Sequence, residues 1–336
     1  MSEIAREPRQ TGRARDTARR ILRHENANLL FVLIALIFGM GAVTGGVSLG
    51  RTNAVNIVLQ SSIRGIASIG QAFVILTAGL DLSVGGIGLL ACTVGASMIT
   101  EAPHLSIVAQ PVPLAVGVIV MMVVGASVGL VNGTLVSRVG MPGLIVTLGM
   151  WQILKGLGYA VGSGSTITYL PESLLALGQG RLAGVPVPSI VFIVVAVVGY
   201  LILNYTSFGR FAYAVGGNPV SSWLSGVNVK KTQLMVYMVS GLLAGVAGVA
   251  TLGRSAHASM RTLMGLEIDT ISAVAIGGVS LMGGRGNLIG VVIGVLILGV
   301  INNGMTILGA GPGAEGVVKG AIIIVAVAID CIRRVR

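Results

Sequence analysis

Residues 206–231 read TSFGRFAYAVGGNPVSSWLSGVNVKK, and the rest of the chain is understood from them. The stretch separates two long apolar runs, with Arg210 near one end and Lys230 and Lys231 at the other. Asn218 before Pro219 favours a turn, and proline suits the first turn of a helix. Val220 to Val227 therefore reads as a helix of about two turns, which Gly226 stops. It turns Ser221, Ser222 and Ser225 outward and holds two large apolar residues, Trp223 and Leu224. So short a helix, held between two spans, has little of its own to bury. Two readings stand at this point: a docking knob for a partner protein on the cytoplasmic side, or an amphipathic helix lying on the lipid surface.

The surroundings of this stretch are those of a membrane protein. Of 336 residues, 54% are hydrophobic and 10% charged, against roughly 25% charged in soluble domains. Glycine numbers 51. Small residues let membrane helices approach closely, and the apolar runs are continuous where barrel strands would alternate, so helices are expected. The net charge of +11 does not point to nucleic acid, because the positive residues flank spans mostly on one side. Cys92 and Cys331 lie in or at the end of apolar runs, without metal spacing, and no disulfide is expected. No cleavable signal is evident, and the first 28 residues, with seven arginines, read as a loosely ordered topology determinant.

A span needs about 20 apolar residues, fewer where packing is unusual. The chain offers runs at 29–47, 63–78, one that begins within 79–86 and runs to 100, 114–131, 143–161, 189–204, 234–252, 268–279, 288–302 and 317–332. Between them, 51–60 reads as a polar outer connection, and 101–113, 162–188, 254–265 and 304–316 as outer loops. The expected fold is an all-α integral membrane protein, a polytopic helical bundle of about ten transmembrane helices, some short or broken, with both termini cytoplasmic. Arg138, Arg210, Lys230, Lys231, Arg285, Arg333, Arg334 and Arg336 then fall inside. Arg51, Arg64, Arg181, Arg254 and Arg261 fall outside or at the outer boundary. Residues 1–28 form a basic cytoplasmic tail, and 29–333 a single membrane domain with a cytoplasmic loop at 205–232.

Two short runs are broken by glycine: 77–86 around Asp81, and 277–286 around Ser280 and Arg285. Paired interruptions in corresponding places point to helices that line a pathway. Asp81 in LDLS is the notable ionisable residue. A carboxylate at membrane depth is a functional candidate by default, but an Asp or Ser just before a helix is also what capping requires. The cap, by Asp81 or Ser83, is the preferred reading. Gln71, Asn132, Thr147, Asn302 and Asn303 are further pathway candidates, each of which also suits hydrogen bonding between helices. Lys155 and Lys319 are expected to snorkel. No G-x-x-x-x-G-K-[ST] loop, H-E-x-x-H or cysteine–histidine cluster occurs, so any ATP-driven step would belong to another polypeptide.

Several segments together resemble the branched ABC-permease family that includes the ribose, xylose, arabinose and galactose permeases of bacteria. They are VILTAGLDLSVG at 74–85, VNGTL at 131–135, IVTLG at 145–149, TSFGR at 206–210, GGNP at 216–219, LSGVNV at 224–229, SGLLAG at 240–245, AIGGVSLMGGRG at 275–286 and NNG at 302–304. They run in the family's order over nearly the whole chain. The arginine-rich tail and Arg64 depart from the pattern.

The resemblance implies a permease of the bacterial inner membrane that imports a monosaccharide. It implies a second permease subunit, a homodimer by expectation, a cytoplasmic ATPase with two nucleotide-binding halves, and a periplasmic sugar-binding protein. ATP would be held by the ATPase, so this chain needs no cofactor or metal. It also implies that Gly217, Asn218, Pro219, Trp223, Leu224, Ser225, Gly226 and Val227 form the coupling element received by the ATPase, which favours the knob over the lipid-surface helix. A same-family permease for a nucleoside, a furanose signal or a branched-chain amino acid is the alternative. A carrier working without ATP is the more distant one, since few carboxylates lie near the core.

Overall fold

The computed structural model describes residues 25–335, so the reading of the arginine-rich tail falls almost wholly outside the described residues. Ten helices occupy the ten apolar runs. They are α1 (Glu25–Val43), α2 (Arg51–Leu76), α3 (Val84–Ile99), α4 (Leu114–Thr134), α5 (Gly143–Gly162), α7 (Val187–Tyr205), α10 (Val229–Ser255), α11 (Leu266–Ile276), α12 (Leu288–Ile307) and α13 (Pro312–Val335). Three short helices lie between them: α6 (Glu172–Gln179), α8 (Ser207–Gly217) and α9 (Pro219–Leu224). Among the described residues, seven of the helices are long and apolar enough to cross a membrane, and Val84–Ile99 is a shorter apolar one. At about 1.5 Å per residue, the 11 residues of α11 reach only about half of a hydrocarbon core about 30 Å thick.

The core gathers around α2, α3 and α10. α3 is buried along almost its whole length, as is α2 from Ser61 to Leu76. α10 packs on both and most extensively on α4. Glycines allow that approach. On α4, Gly125, Gly129 and Gly133 recur at four-residue spacing and meet the backbone of α10 at Gly241, Tyr237 and Leu234. A Cβ at Gly133 would lie 2.8 Å from the Leu234 carbonyl oxygen, so a side chain there would force the helices apart. This is the small-residue packing expected where lipid gives no hydrophobic drive between helices.

The structure corrects several boundaries. Residues 51–60 are not a loop; they are the first half of the 26-residue α2. Val55, Ile57, Val58 and Leu59 give this half its apolar content, and Asn53 ties it down by exchanging 2.8 Å hydrogen bonds with Asn303 and donating to the Ser48 carbonyl. The expected outer loop 304–316 shrinks to residues 308–311. The 162–188 loop is folded, with α6 and a two-residue hairpin, β1 (Arg181–Leu182) and β2 (Val185–Pro186). Its Gly178 packs against the backbone of Gly253 at the end of α10.

The turn holding Arg138 borders Trp223 and Arg285 borders Gly216, at one end of the bundle, while the loop segments of Arg181 and Arg261 join the end of α10 at Arg254 through Gly178 on Gly253 and the pairing of Ile167 with Ala258. Asn26 of α1 reaches Gly290 at the start of α12, and Asp330 of α13 reaches Ser280, so the described chain starts and finishes at the end that carries α9.

Candidate functional site

The local sequence fixes α9 at both ends. Asn218 Oδ1 accepts from Ser221 N at 3.0 Å and Pro219 takes the first helical position. The helix is six residues long, shorter than expected, because Gly226 turns to φ 84° and its N–H closes on the Trp223 carbonyl at 2.9 Å. Two residues after Gly226, Asn228 caps α10, its Oδ1 accepting from Lys231 N at 2.9 Å. Trp223 and Leu224 stand 68% and 73% exposed. Ser222 corrects the expected serine face: it is buried, and its hydroxyl donates to the Asn218 carbonyl at 2.8 Å. Beside Trp223 opens a groove of about 710 Å³. Its far wall is a π-helical turn, Leu135–Val139, that continues α4 and presents Val136, Ser137 and then Gly140.

α8 has no counterpart among the helices expected from sequence. Thr206 caps it, its Oγ1 accepting from Gly209 N at 3.4 Å. At its far end Gly216 lies directly on the Leu76 carbonyl, where α2 stops, and on the backbone of Gly284. Gly284 N donates to that same Leu76 carbonyl at 2.9 Å. Tyr213, one turn earlier, donates its hydroxyl to the Gly286 carbonyl at 2.7 Å, and burial pushes its phenol above the usual range. So the two glycine-broken segments meet, and α8 crosses their junction. Gly278, Gly283, Gly284 and Gly286 all have positive φ, which explains the glycine run. Ala78 holds φ 59° without that excuse.

Asp81 does not cap α3. Ser83 is the N-cap residue and makes no side-chain cap bond. Asp81 Oδ1 accepts from Ser83 N at 3.0 Å and Ser83 Oγ at 2.6 Å, and Oδ2 accepts from Ser240 Oγ at 2.9 Å. Asn132 Nδ2 then donates to Ser83 Oγ at 2.8 Å. All four residues are fully buried. The carboxylate is thus the hub of a network joining the α2–α3 break to α4 and α10. The backbone amide it takes is that of the capping residue, not those of the first helical turn.

The other candidates divide by position. Thr147 borders this network, its hydroxyl donating to Gly143 O at 2.8 Å with Leu80 O at 3.4 Å. Gln71 and Asn302 are buried with no protein partner for either side-chain atom. Asn303 pairs with Asn53 towards the outer end. Ser280 donates to Asp330 Oδ2 at 2.8 Å. Asp81, Ser83, Asn132 and Thr147 are therefore brought together, and Ser280, Asn302 and Asn303 lie apart. Lys319 does not snorkel: its Nζ is 2.8 Å from Asp269 Oδ1, while Arg64 Nε is 2.9 Å from Oδ2. Lys155 lies over the Trp151 ring, 5.2 Å from its centroid. The ion pair was open to sequence reasoning only as three unmatched charges on three apolar runs; nothing in their spacing joined them.

The structure thus combines a glycine-tight helical bundle, two broken segments that meet, and a capped helix with an exposed apolar pair. Residues 53–327 match the family model described as "branched-chain amino acid transport system / permease component". The chain belongs to this permease family. It is 36% identical to the ribose import permease protein of Escherichia coli strain K12 over 324 residues, 95% of this chain and 97% of that one. It is 37% identical to the fructose import permease protein of Rhizobium meliloti over 309 residues, 90% of this permease and 84% of the relative. It is 35% identical to the D-allose transport system permease protein of Escherichia coli strain K12 over 300 residues, 89% and 90% of the two chains. No solved structure matches. This permease is a multi-pass protein of the membrane, in bacteria the inner one.

Proposed function

We propose that this chain is the membrane subunit of an ATP-driven, binding-protein-dependent importer of a monosaccharide, with membrane domain 29–333 and coupling loop 205–232. The relatives' names support import of sugars. The observation that carries the mechanism is the pair Trp223 and Leu224, exposed on a six-residue helix capped by Asn218 and stopped by Gly226. An apolar pair presented on so short and well-fixed a helix suits insertion into a protein cleft better than a lipid surface, which rewards a longer apolar face.

In this reading a cytoplasmic ATPase with two nucleotide-binding halves receives α9, and its closure displaces the knob. α8 leads into the knob and α10 follows it in the chain, so displacement of the knob reaches the bundle from both of its ends. α8 delivers it to the junction of the broken segments through Gly216 and Tyr213. α10 delivers it to Asp81 through Ser240. The broken segments are the compliant points, and their rearrangement opens the pathway to one side or the other. A second copy of the permease completes the conduit, and a periplasmic binding protein delivers the solute at the end bearing Arg181, Arg254 and Arg261, which suit carboxylates on that protein.

The test is ATPase stimulation by loaded binding protein in the reconstituted complex. Trp223→Asp with Leu224→Asp puts two charges where the cleft expects apolar surface. Stimulation should disappear while the permease keeps its fold, since both residues are exposed. Stimulation equal to that of the unaltered complex would remove the coupling role.

A further inference from the structure

Arg64 sits halfway along α2, where a charge is costly in a bilayer and marks a functional position by default. Its side chain is 24% exposed. One carboxylate answers two cations there: Asp269 takes Arg64 at 2.9 Å and Lys319 at 2.8 Å, while Glu315 reaches Lys319 only at 4.0 Å. Arg64 Nη1 is left buried without a hydrogen-bond partner. Next to it opens a cleft of about 150 Å³, bordered by Gln60, Arg64, Thr251, Arg254 and Asp269 over an apolar floor. Among the described residues no carboxylate pairs with Arg254. Glu267, the neighbouring acid on α11, packs against Gly85 instead of bordering the cleft.

We propose that this cleft receives the carboxylate of an acidic sugar, and so sets the class of solute that this permease passes. With Lys319 and Glu315 included, three cations (Arg64, Arg254 and Lys319) face two carboxylates (Asp269 and Glu315), an excess of one positive charge that a single further carboxylate balances. Guanidinium groups bind carboxylates through paired, charge-assisted N–H donors, and Arg64 Nη1 is such a donor left over. The volume is about that of five water molecules at about 30 Å³ each, enough for a carboxylate and the carbons beside it. Gln60 and Thr251 offer polar groups to the adjoining hydroxyls. The cleft lies beside the last turn of α10, through Thr251 and Arg254. The inference rests on the chain being a solute permease and does not depend on the knob.

The full chain, reconstituted in lipid nanodiscs without ATPase, is followed by thermal unfolding against sodium gluconate, sorbitol and inorganic phosphate at matched ionic strength. Gluconate should raise the midpoint and sorbitol should not. Arg254→Gln, an exposed position that does not threaten folding, should raise the gluconate concentration needed about tenfold, the scale of one charge-assisted bond. Arg64→Gln should abolish the response; if that variant does not fold, Arg254→Gln decides. The proposal is overturned if gluconate gives no protection, if sorbitol protects equally, or if Arg254→Gln responds like the unaltered chain. It is overturned also if phosphate protects as well as gluconate, since the cleft would then hold a free oxyanion. Because no ATPase is present, each of these failures leaves the coupling reading untouched.

Discussion

Replacing Gly216 by alanine tests whether α8 bears on the junction of the broken segments. A Cβ there would overlap the Leu76 carbonyl oxygen and lie 2.6 Å from Gly284 N, against the 3.0 Å below which Cβ contacts essentially do not occur. Gly284 must therefore retreat by at least 3.0 − 2.6 = 0.4 Å, and Leu76 by more. Both are backbone atoms, so neither can swing aside as a side chain would. Moving them strains the 2.9 Å bond from Gly284 N to Leu76 O and draws Gly286 from Tyr213. Overpacking of this kind costs about 1–3 kcal/mol, and the upper end applies where backbone meets backbone. About 3 kcal/mol against the one arrangement in which the three segments touch shifts its population roughly 100-fold. The assay is solute uptake and ATPase activity in proteoliposomes containing the whole complex. The complex should still assemble, because the exposed face of the knob is unchanged. Uptake should fall at least tenfold, with ATP hydrolysis no longer matched to transport. Gly156→Ala, with open space around its Cβ, is the control for the added methyl group. Uptake within about twofold of the unaltered complex in the Gly216 variant would refute the reasoning, since even about 0.4 kcal/mol would then be undetected.

Tyr213→Phe removes only the hydroxyl that reaches Gly286, at about 1 kcal/mol; uptake should fall about fivefold while binding of the ATPase, read by co-purification, holds. Asp81→Ala leaves Ser83 and Ser240 donors buried without their acceptor and should destabilise by about 2–4 kcal/mol, whereas Asp81→Asn keeps the acceptor facing Ser83 and should lose about 1 kcal/mol or less; thermal unfolding in detergent separates them, and equal losses would contradict the network. Gly129→Leu drives a side chain into the Tyr237 backbone and should prevent α4 and α10 from packing, so that the protein is recovered aggregated in size-exclusion chromatography.

The bundle was legible because lipid imposes a simple rule. A continuous apolar run of adequate length becomes a helix, and ten runs became ten helices. The rule failed at 51–60 because it counts apolar residues, while Asn53 finds its partners 250 positions away in Asn303. The knob was legible because capping is local: Asn218, Pro219 and Gly226 each act within a few residues. α8 was not, because its small apolar face answers to backbone at Leu76 and Gly284 that no local pattern records. Asp81 was read as a cap for the same reason. Its i to i+2 bond to Ser83 looks like a cap in sequence, and only the fold supplies Ser240 from α10.

α10 begins five residues after Leu224, carries Ser240 at the Asp81 network, and has Arg254 in its last turn beside the charged cleft. Its 27 residues span about 40 Å at about 1.5 Å each. It is locked to α4 by backbone contacts at Gly125, Gly129 and Gly133, which leave no side chains to repack. In the proposed mechanism the pair moves as one body, taking with it the π-helical turn that forms the groove beside Trp223. What can yield is what lacks helical hydrogen bonds: the break between Leu76 and Val84, and the run from Gly277 to Asn287. Those are the segments that α8 crosses. In that mechanism a push on Trp223 is divided between a stiff arm that reaches the outer end and a short lever that bears on the two breaks. Motion confined to α9 would leave both arms still, so a label on Ser255 whose environment changes with ATP binding, and ceases to change in the Trp223→Asp, Leu224→Asp variant, distinguishes a working arm from a passive one.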